Sequence, residues 1–322
     1  MNTKASVGVL LMTYGSPGTL DDVLSYMTNV YGGRTPDAQL VRDFRCRYDL
    51  IGGSPLVPIT LAQAAALQEE LRRRDPEGPV FYAGAGMRFS PPYVADALAS
   101  LASEGIGRLV CIIMSPQYSP ILMSGYRKTV EETQQRLEHP IAARIAGSWH
   151  RQPLFLQAVA ERVCEALAQV PAEARDDVQV LLTAHSMPKR VIDKEPDYIK
   201  DLHETATSVA ELAGLPRERW HFCYQSAGHT PEEWLKPDFA DLMPRLAAAG
   251  TRRVLIAPVQ FLTDHLEILY DIEVGAREQA EKHGLIFMRT SSLNTAPLFI
   301  GALADVVEEE LARFPAPVPT PA

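Results

Sequence analysis

The 322-residue sequence predicts an α/β protein: two doubly wound domains with parallel sheets, related by internal duplication. Three observations predict it. Short apolar runs that read as buried strands alternate with helical segments, the pattern of βα units. The second half repeats the first at a single period of about half the chain, which marks two copies of one unit. The length is too great for one ordinary core and suits two domains. The expected division is residues 1–150, residues 151–314 and a proline-rich tail, 315–322, expected to be disordered.

Residues 7–12 form the first apolar run, and Tyr14-Gly15-Ser16-Pro17-Gly18 is the turn that ends it. Thr19 with Asp22 three residues on reads as a helix start. Residues 29–58 are rich in glycine and proline and hold Arg34, Arg42, Arg45 and Arg47. Composition alone favours a solvated helix over residues 37–50, and an anion-facing flap is the functional alternative. A helix over 60–74, a strand over 80–83, a helix over 93–104 and a strand over 108–114 follow. A helix around 125–137 then precedes a strand near 141–146.

The repeat sets in at this point. Residues 10–17 resemble 181–188, residues 81–86 parallel 222–228, and residues 108–118 parallel 253–261. Pro153 and Pro297 each open the helix after the last strand of a half. Residues 178–182 are almost wholly apolar and read as a buried strand that delivers His185 to its carboxyl end, where open α/β sheets place ligands. By itself that stretch fits equally a hydrogen-bonded histidine in a tight turn.

Composition excludes several classes. A net charge of −9 lacks the basic footprint of non-specific nucleic-acid binding. No apolar run approaches the roughly 18 residues that span a bilayer, and residues 7–12 are too short for a signal segment, so a cytoplasmic protein is expected. Cys46, Cys111, Cys164 and Cys223 form no CxxC pair and are expected to be independent and reduced, without an iron–sulfur cluster.

Equivalent loops of the two copies should face one another across a cleft, setting Tyr14 opposite His185 and the Gln117-Tyr118 loop opposite Gln260-Phe261. Beyond the latter, Asp264, Glu267, Asp271 and Glu278 would share one face of an α-helix. Stacked carboxylates call for protons, a cation or bulk water. A wet acidic face is the plain reading. Against it, the row begins where an apolar strand enters the cleft, and imidazole with carboxylate suits Fe²⁺ or Zn²⁺. The H-x-E at His265 and Glu267 is not the H-E-x-x-H of zinc proteases.

The motifs then fall in one order. They are residues 11–17, Arg47-Tyr48 with residues 51–56, Gly86-Met87-Arg88, residues 115–119, Ala184-His185-Ser186-Met187-Pro188, Tyr224-Gln225-Ser226 through residues 234–238, and Asp264-His265-Leu266-Glu267. By these, over about residues 7–310, the chain resembles the ferrochelatases, enzymes that insert ferrous iron into a porphyrin in haem biosynthesis. The resemblance implies two Rossmann-like, chelatase-like domains and no required cofactor, with Fe²⁺ and porphyrin as substrates. It also allows transient contact with neighbouring haem-pathway enzymes. It makes His185 and Glu267 the catalytic pair around the metal. Tyr14 stands where the branch that uses coproporphyrin III has a tyrosine able to ligate the metal axially. Arg47, Tyr48, Ser54 and Tyr126 match positions lining the porphyrin pocket. Two positions depart from the pattern: Tyr31 replaces a propionate-contacting arginine, and Gly275 interrupts the acidic row.

The chemistry is consistent with this. Metallation removes two pyrrole protons, which calls for a base near neutral pH, and histidine is the natural one. Glu267 and Asp271 can receive a proton or pass on a partly hydrated ion. A tetracarboxylate needs cationic partners, which Arg47 with Arg34, Arg42 or Arg45 can supply. Coproporphyrin III is therefore the expected substrate. The alternatives are protoporphyrin IX, a related tetrapyrrole chelatase for another divalent metal, and a haem carrier.

Overall fold

The protein is described here by a computed structural model covering residues 5–228 and 232–315. Apart from Pro315, the expected disordered tail lies outside the described residues. The first half runs β1 (Ser6–Thr13), a short 3-10 turn, α1 (Val23–Val30), α2 (Ala38–Leu50), α3 (Leu56–Arg74), β2 (Val80–Met87), α4 (Val94–Ser103), β3 (Arg108–Ile113), α5 (Pro120–Gln134) and β4 (Ala142–Ile145). The second half runs α6 (Pro153–Ala168), β5 (Val178–His185), α7 (Lys189–Ile192), α8 (Pro196–Leu212), β6 (Trp220–Gln225), α9 (Phe239–Ala248) and β7 (Arg253–Pro258). It ends with a π-helix (Glu267–Ala276), α10 (Arg277–Lys282), β8 (Ile286–Arg289) and α11 (Pro297–Ala312).

Two four-stranded parallel sheets result, ordered β2-β1-β3-β4 and β6-β5-β7-β8. The same order in both is what duplication predicts. β1 is buried from Val7 to Thr13 and β5 at nearly every position, as parallel strands covered by helices on both faces must be. In each sheet the chain steps from the first strand to one side and then returns to the other. The strand order thus reverses beside β1 and beside β5, and the crevice there opens at the strands' carboxyl ends. The carboxyl ends of β1, β3, β5 and β7 and the loops after them bring Tyr14, residues 114–119, His185 and residues 259–266 to that crevice.

Three boundaries differ from expectation for local reasons. α5 begins at Pro120, because the Ser119 hydroxyl accepts the Leu122 N–H at 3.1 Å and proline suits the first helical position. β2 continues through Gly84 and Gly86 to Met87. There Gly86 serves packing, since a Cβ would lie 2.6 Å from the Val94 Cα. α3 starts at Leu56, one turn early.

The largest core joins both sheets. Trp149 lies 5.3 Å from Phe155 and 6.4 Å from Phe299 between ring centroids, and α11 packs on α3 as well as α6. Arg74 of α3 pairs with Asp305 at 2.6 Å, and Arg144 of β4 with Glu310 at 2.7 Å. The last helix is therefore packed and charge-paired to the first half. Among the described residues no helix is long and apolar enough to cross a membrane. Phe299→Ala, at a fully buried ring, should cost about 3–5 kcal/mol and be read as a lower urea midpoint by Trp149 fluorescence.

Candidate active site

His185 closes β5. Its backbone N–H donates to Gln260 Oε1 at 2.9 Å, and Gln260 Nε2 donates to the Tyr198 hydroxyl at 2.5 Å. The ring Nδ1 lies 2.5 Å from the Ser186 carbonyl oxygen. A carbonyl only accepts, so Nδ1 carries a proton, and in the neutral ring the lone pair lies on Nε2. Phe261 stands edge-on to the ring, 6.3 Å between centroids.

The direct partner of Glu267 is not His185 but His265. His265 Nδ1 donates to the Thr263 carbonyl at 2.8 Å, and Nε2 lies 3.0 Å from Glu267 Oε2. Burial pulls the His265 pKa down, but the Glu267 charge and hydrogen bond outweigh it and leave the imidazole above its ordinary range. Burial likewise opposes ionisation of Glu267, yet the charge and hydrogen bond of His265, with the charge of His185 behind them, hold its carboxyl down at about 2. The two form a hydrogen-bonded pair in which each partner favours the charged form of the other.

The acidic row is a correction. Residues 267–276 wind as a π-helix, a geometry frequent at functional sites. Asp264 lies before it and accepts from Ser292 Oγ at 2.8 Å and Asn294 Nδ2 at 2.9 Å. Glu273 pairs with Arg277 and, at 2.5 Å, with Arg289, while Glu278 is exposed on α10. Only Glu267 and Asp271 remain at the site. Burial raises the Asp271 pKa, and nearby Glu267 adds to this. The Ser226 hydroxyl, which donates to Asp271, opposes it, as do Arg47 and His185. Ser226 holds this position with φ +58, a left-handed conformation rare for a residue with a side chain.

The first half contributes phenols and guanidinium groups. Tyr14, 46% exposed just beyond β1, stands edge-on to Phe89 with centroids 4.5 Å apart. Partial burial in the cleft pushes its phenol up to about 12, Glu267 and Tyr31 adding to this and Arg88 opposing it. Tyr48 and Tyr26 are buried and hydrogen-bonded to each other, and Tyr26 donates to the Gly15 carbonyl at 3.0 Å. Burial raises both phenols, and both feel the Glu267 charge. Burial also raises Tyr126, over whose ring the Arg88 guanidinium stands at 5.5 Å. A Cβ at Gly125 would fall 2.1 Å from that guanidinium, so the glycine makes room for it.

Within the basic segment, α2 is the solvated helix. Arg42 bonds Gln39 at 2.6 Å, Arg45 pairs with Asp21 at 2.7 Å, and Arg34 donates to the Tyr31 carbonyl at 3.3 Å, all at exposed positions. Arg47 alone of the four turns inward, 5.1 Å over the Tyr270 ring and close enough to Asp271 to lower its pKa. Ser54 is engaged locally, accepting the Leu56 N–H at 3.4 Å at the start of α3. Gly275 has room beside it, a Cβ there meeting nothing closer than the Tyr270 carbonyl at 3.7 Å. Sequence reading gave no role to His265, Arg88, Gln260, Tyr198 or Ser226, although all but Tyr198 lie in motifs it had singled out. The H-x-E spacing held the signal for His265.

The architecture is that of SirB from Bacillus subtilis, solved with Fe³⁺. It matches with a TM-score of 0.59 over 96% of this chain and 98% of its own, at 14% identity, a likeness of fold. The sequence goes further. The ferrochelatase family model matches residues 6–311. The ferrochelatase of Deinococcus radiodurans is 36% identical over 314 residues, 97% of this chain and 98% of that one. The coproporphyrin III ferrochelatase of Geobacillus kaustophilus is 36% identical over 314 residues, 96% of this chain and 98% of that one. The chain belongs to the ferrochelatase family, and with it to the lyases that insert metal into porphyrin.

The ion pair has a pH signature. His265, raised in the fold, contributes stability that is full below 6.5 and lost as pH rises through its folded value. Glu267, lowered to about 2, contributes stability that is full above 4.5 and lost as pH falls toward 2. The gap in melting temperature between wild type and Glu267→Gln should be widest between pH 4.5 and 6.5 and narrow on both sides, as measured by circular dichroism.

Proposed function

We propose that this ferrochelatase inserts Fe²⁺ into coproporphyrin III, with His185 as the base and Glu267 as the anion that faces the ion. The observation that carries the reading is the His185 imidazole, whose Nδ1 is engaged by the Ser186 carbonyl so that Nε2 is the nitrogen that can take a proton, near the Glu267 carboxylate paired with His265.

Porphyrin metallation releases two protons, and its dication must leave water for four nitrogens. His185 Nε2 takes a pyrrole proton, because Nδ1 is already committed to Ser186. Glu267 is a poor proton carrier with its pKa near 2, and its charge instead favours the arriving cation in a partly dry cleft. Asp271 has a raised pKa and a hydroxyl donor in Ser226, and it is the carboxyl suited to relay the second proton outward. Tyr14 is a neutral phenol at neutral pH and lines the pocket until a metal lowers its pKa enough for it to ligate. Distortion of the ring toward the base belongs to the same proposal.

Substrate choice rests on the first half. Arg47, directed inward, and Arg88, beside Tyr126 and Tyr14, are the cations placed to meet peripheral carboxylates, and Tyr48 lies on the same side. The proposal treats ferrous iron as substrate rather than resident metal, requires no cofactor and takes the enzyme as cytoplasmic.

Anaerobic steady-state assays with Fe²⁺ test this. Coproporphyrin III should be metallated faster than protoporphyrin IX, and His185→Ala should lose about 10²- to 10⁴-fold in kcat while still binding porphyrin. Equal or better turnover of protoporphyrin would overturn the substrate assignment. No metalloporphyrin from either would overturn the activity.

A further inference from the structure

We propose that the start of α8, from its N-cap Glu195 to Tyr198, sets the spacing between the two walls of the cleft. Glu195 and Tyr198 act there as positioning residues, one for the porphyrin wall on α5 and the other for His185. The proposal rests on the roles given above to His185 and to the pocket around Tyr126.

Glu195 belongs to the second half but serves a helix of the first. It is buried, its Oε1 accepts the Ile121 N–H at 2.6 Å, and its Oε2 accepts the Ser119 hydroxyl. Ser119 in turn accepts the Leu122 N–H at 3.1 Å. Two first-turn N–H groups of α5 are thus satisfied through one carboxylate from across the cleft, placed at the positive end of the helix dipole. α5 carries Gly125 and Tyr126, the surfaces against which Arg88 rests.

Tyr198 lies three residues further along and is also buried. Its hydroxyl accepts from Gln260 Nε2, and the other end of that amide accepts the His185 N–H. Flipping the amide would set Nε2 against the His185 N–H, two donors, so the backbone fixes the amide's orientation and the phenol tethers its far end. Leu122 of α5 packs against the cluster formed by Tyr198, Leu202, Ala184 and Tyr224, joining the two walls.

The same face of α8 continues the seam. Thr205 accepts from Gln117 Nε2 at 2.9 Å, Asp201 accepts from Ser148 at 3.1 Å, and Glu204 accepts from Arg151 at 2.7 Å. His150, Asp201 and Glu204 bring ligand-type atoms within 4.8 Å of one another. However, each imidazole nitrogen faces a different carboxylate, and Arg151 already occupies Glu204. That cluster is closed by its own ion pairs and hydrogen bonds rather than arranged around a cation.

The two residues act on different walls, so their variants should separate kinetically. Steady-state assays and porphyrin fluorescence titrations use the full chain and whichever porphyrin the wild type metallates faster. Glu195→Ala should raise KM and Kd for porphyrin about tenfold with kcat little changed, and Glu195→Gln, which keeps one acceptor, about threefold. Tyr198→Phe should lower kcat about five- to tenfold with KM unchanged. KM and kcat moving together in proportion to lost melting temperature would overturn the proposal, as would neither moving. Should Glu195→Ala not fold, an unaltered KM in Glu195→Gln overturns the α5 half. Full turnover in His185→Ala would overturn the reading of His185 instead. The Glu195 arm does not pass through that residue and would still be decided by its own affinity change.

Discussion

The buried pairing of Glu267 with His265, 3.0 Å from carboxylate oxygen to ring nitrogen, is the constraint around which this cleft is built. Removing a charge from water is costly unless a partner and hydrogen bonds compensate, so Glu267 can stay charged only while His265 is fixed beside it. The loop before the π-helix provides that fixing. The Thr263 carbonyl orients the ring, and Asp264 is held on both sides by residues 292 and 294. Burial keeps Tyr14, Tyr26 and Tyr48 neutral and moves Asp271 toward its protonated form, and the Glu267 charge adds to each shift.

Duplication explains how one fold brings two chemistries to the same crevice. The equivalent ends of β1 and β5 present Tyr14 and His185. The first copy has come to supply phenols and guanidinium groups suited to seating a planar polyanion. The second supplies imidazoles and carboxylates suited to protons and a cation. Helices that cross between the halves hold these surfaces in register. α11 does so from behind, through Phe299 and Asp305, and α8 does so at the cleft, through Glu195 and Thr205.

The parts of this arrangement that were legible in the sequence are those that depend on periodicity and local chain stops. The buried strands show as apolar runs, Pro153 and Pro297 mark helix starts, and the repeat gives identical strand order in both sheets. His185 was singled out by its place at a strand end, and the resemblance named it with Glu267 as the catalytic pair, a role that is proposed. The π-helix was not legible, because the spacing of Glu267 and Asp271 is compatible with an α-helix and no residue pattern distinguishes the wider winding. Nor could spacing tell that Asp264 turns away to Ser292, or that Arg47 faces inward while Arg42 and Arg45 are engaged at the surface. The partner of Glu267 was two residues away throughout, but only the path of the loop shows the two side chains meeting.

The most direct measurement of this account is the protonation of the two imidazoles, read by ¹⁵N NMR of the ring nitrogens across pH and assigned with His185→Gln and His265→Gln. The account requires His265 to titrate above the usual value near 6.5. It requires neutral His185 to bear its proton on Nδ1 with Nε2 bare. A neutral His265 at pH 6.5, or a His185 protonated on Nε2 alone, would contradict it.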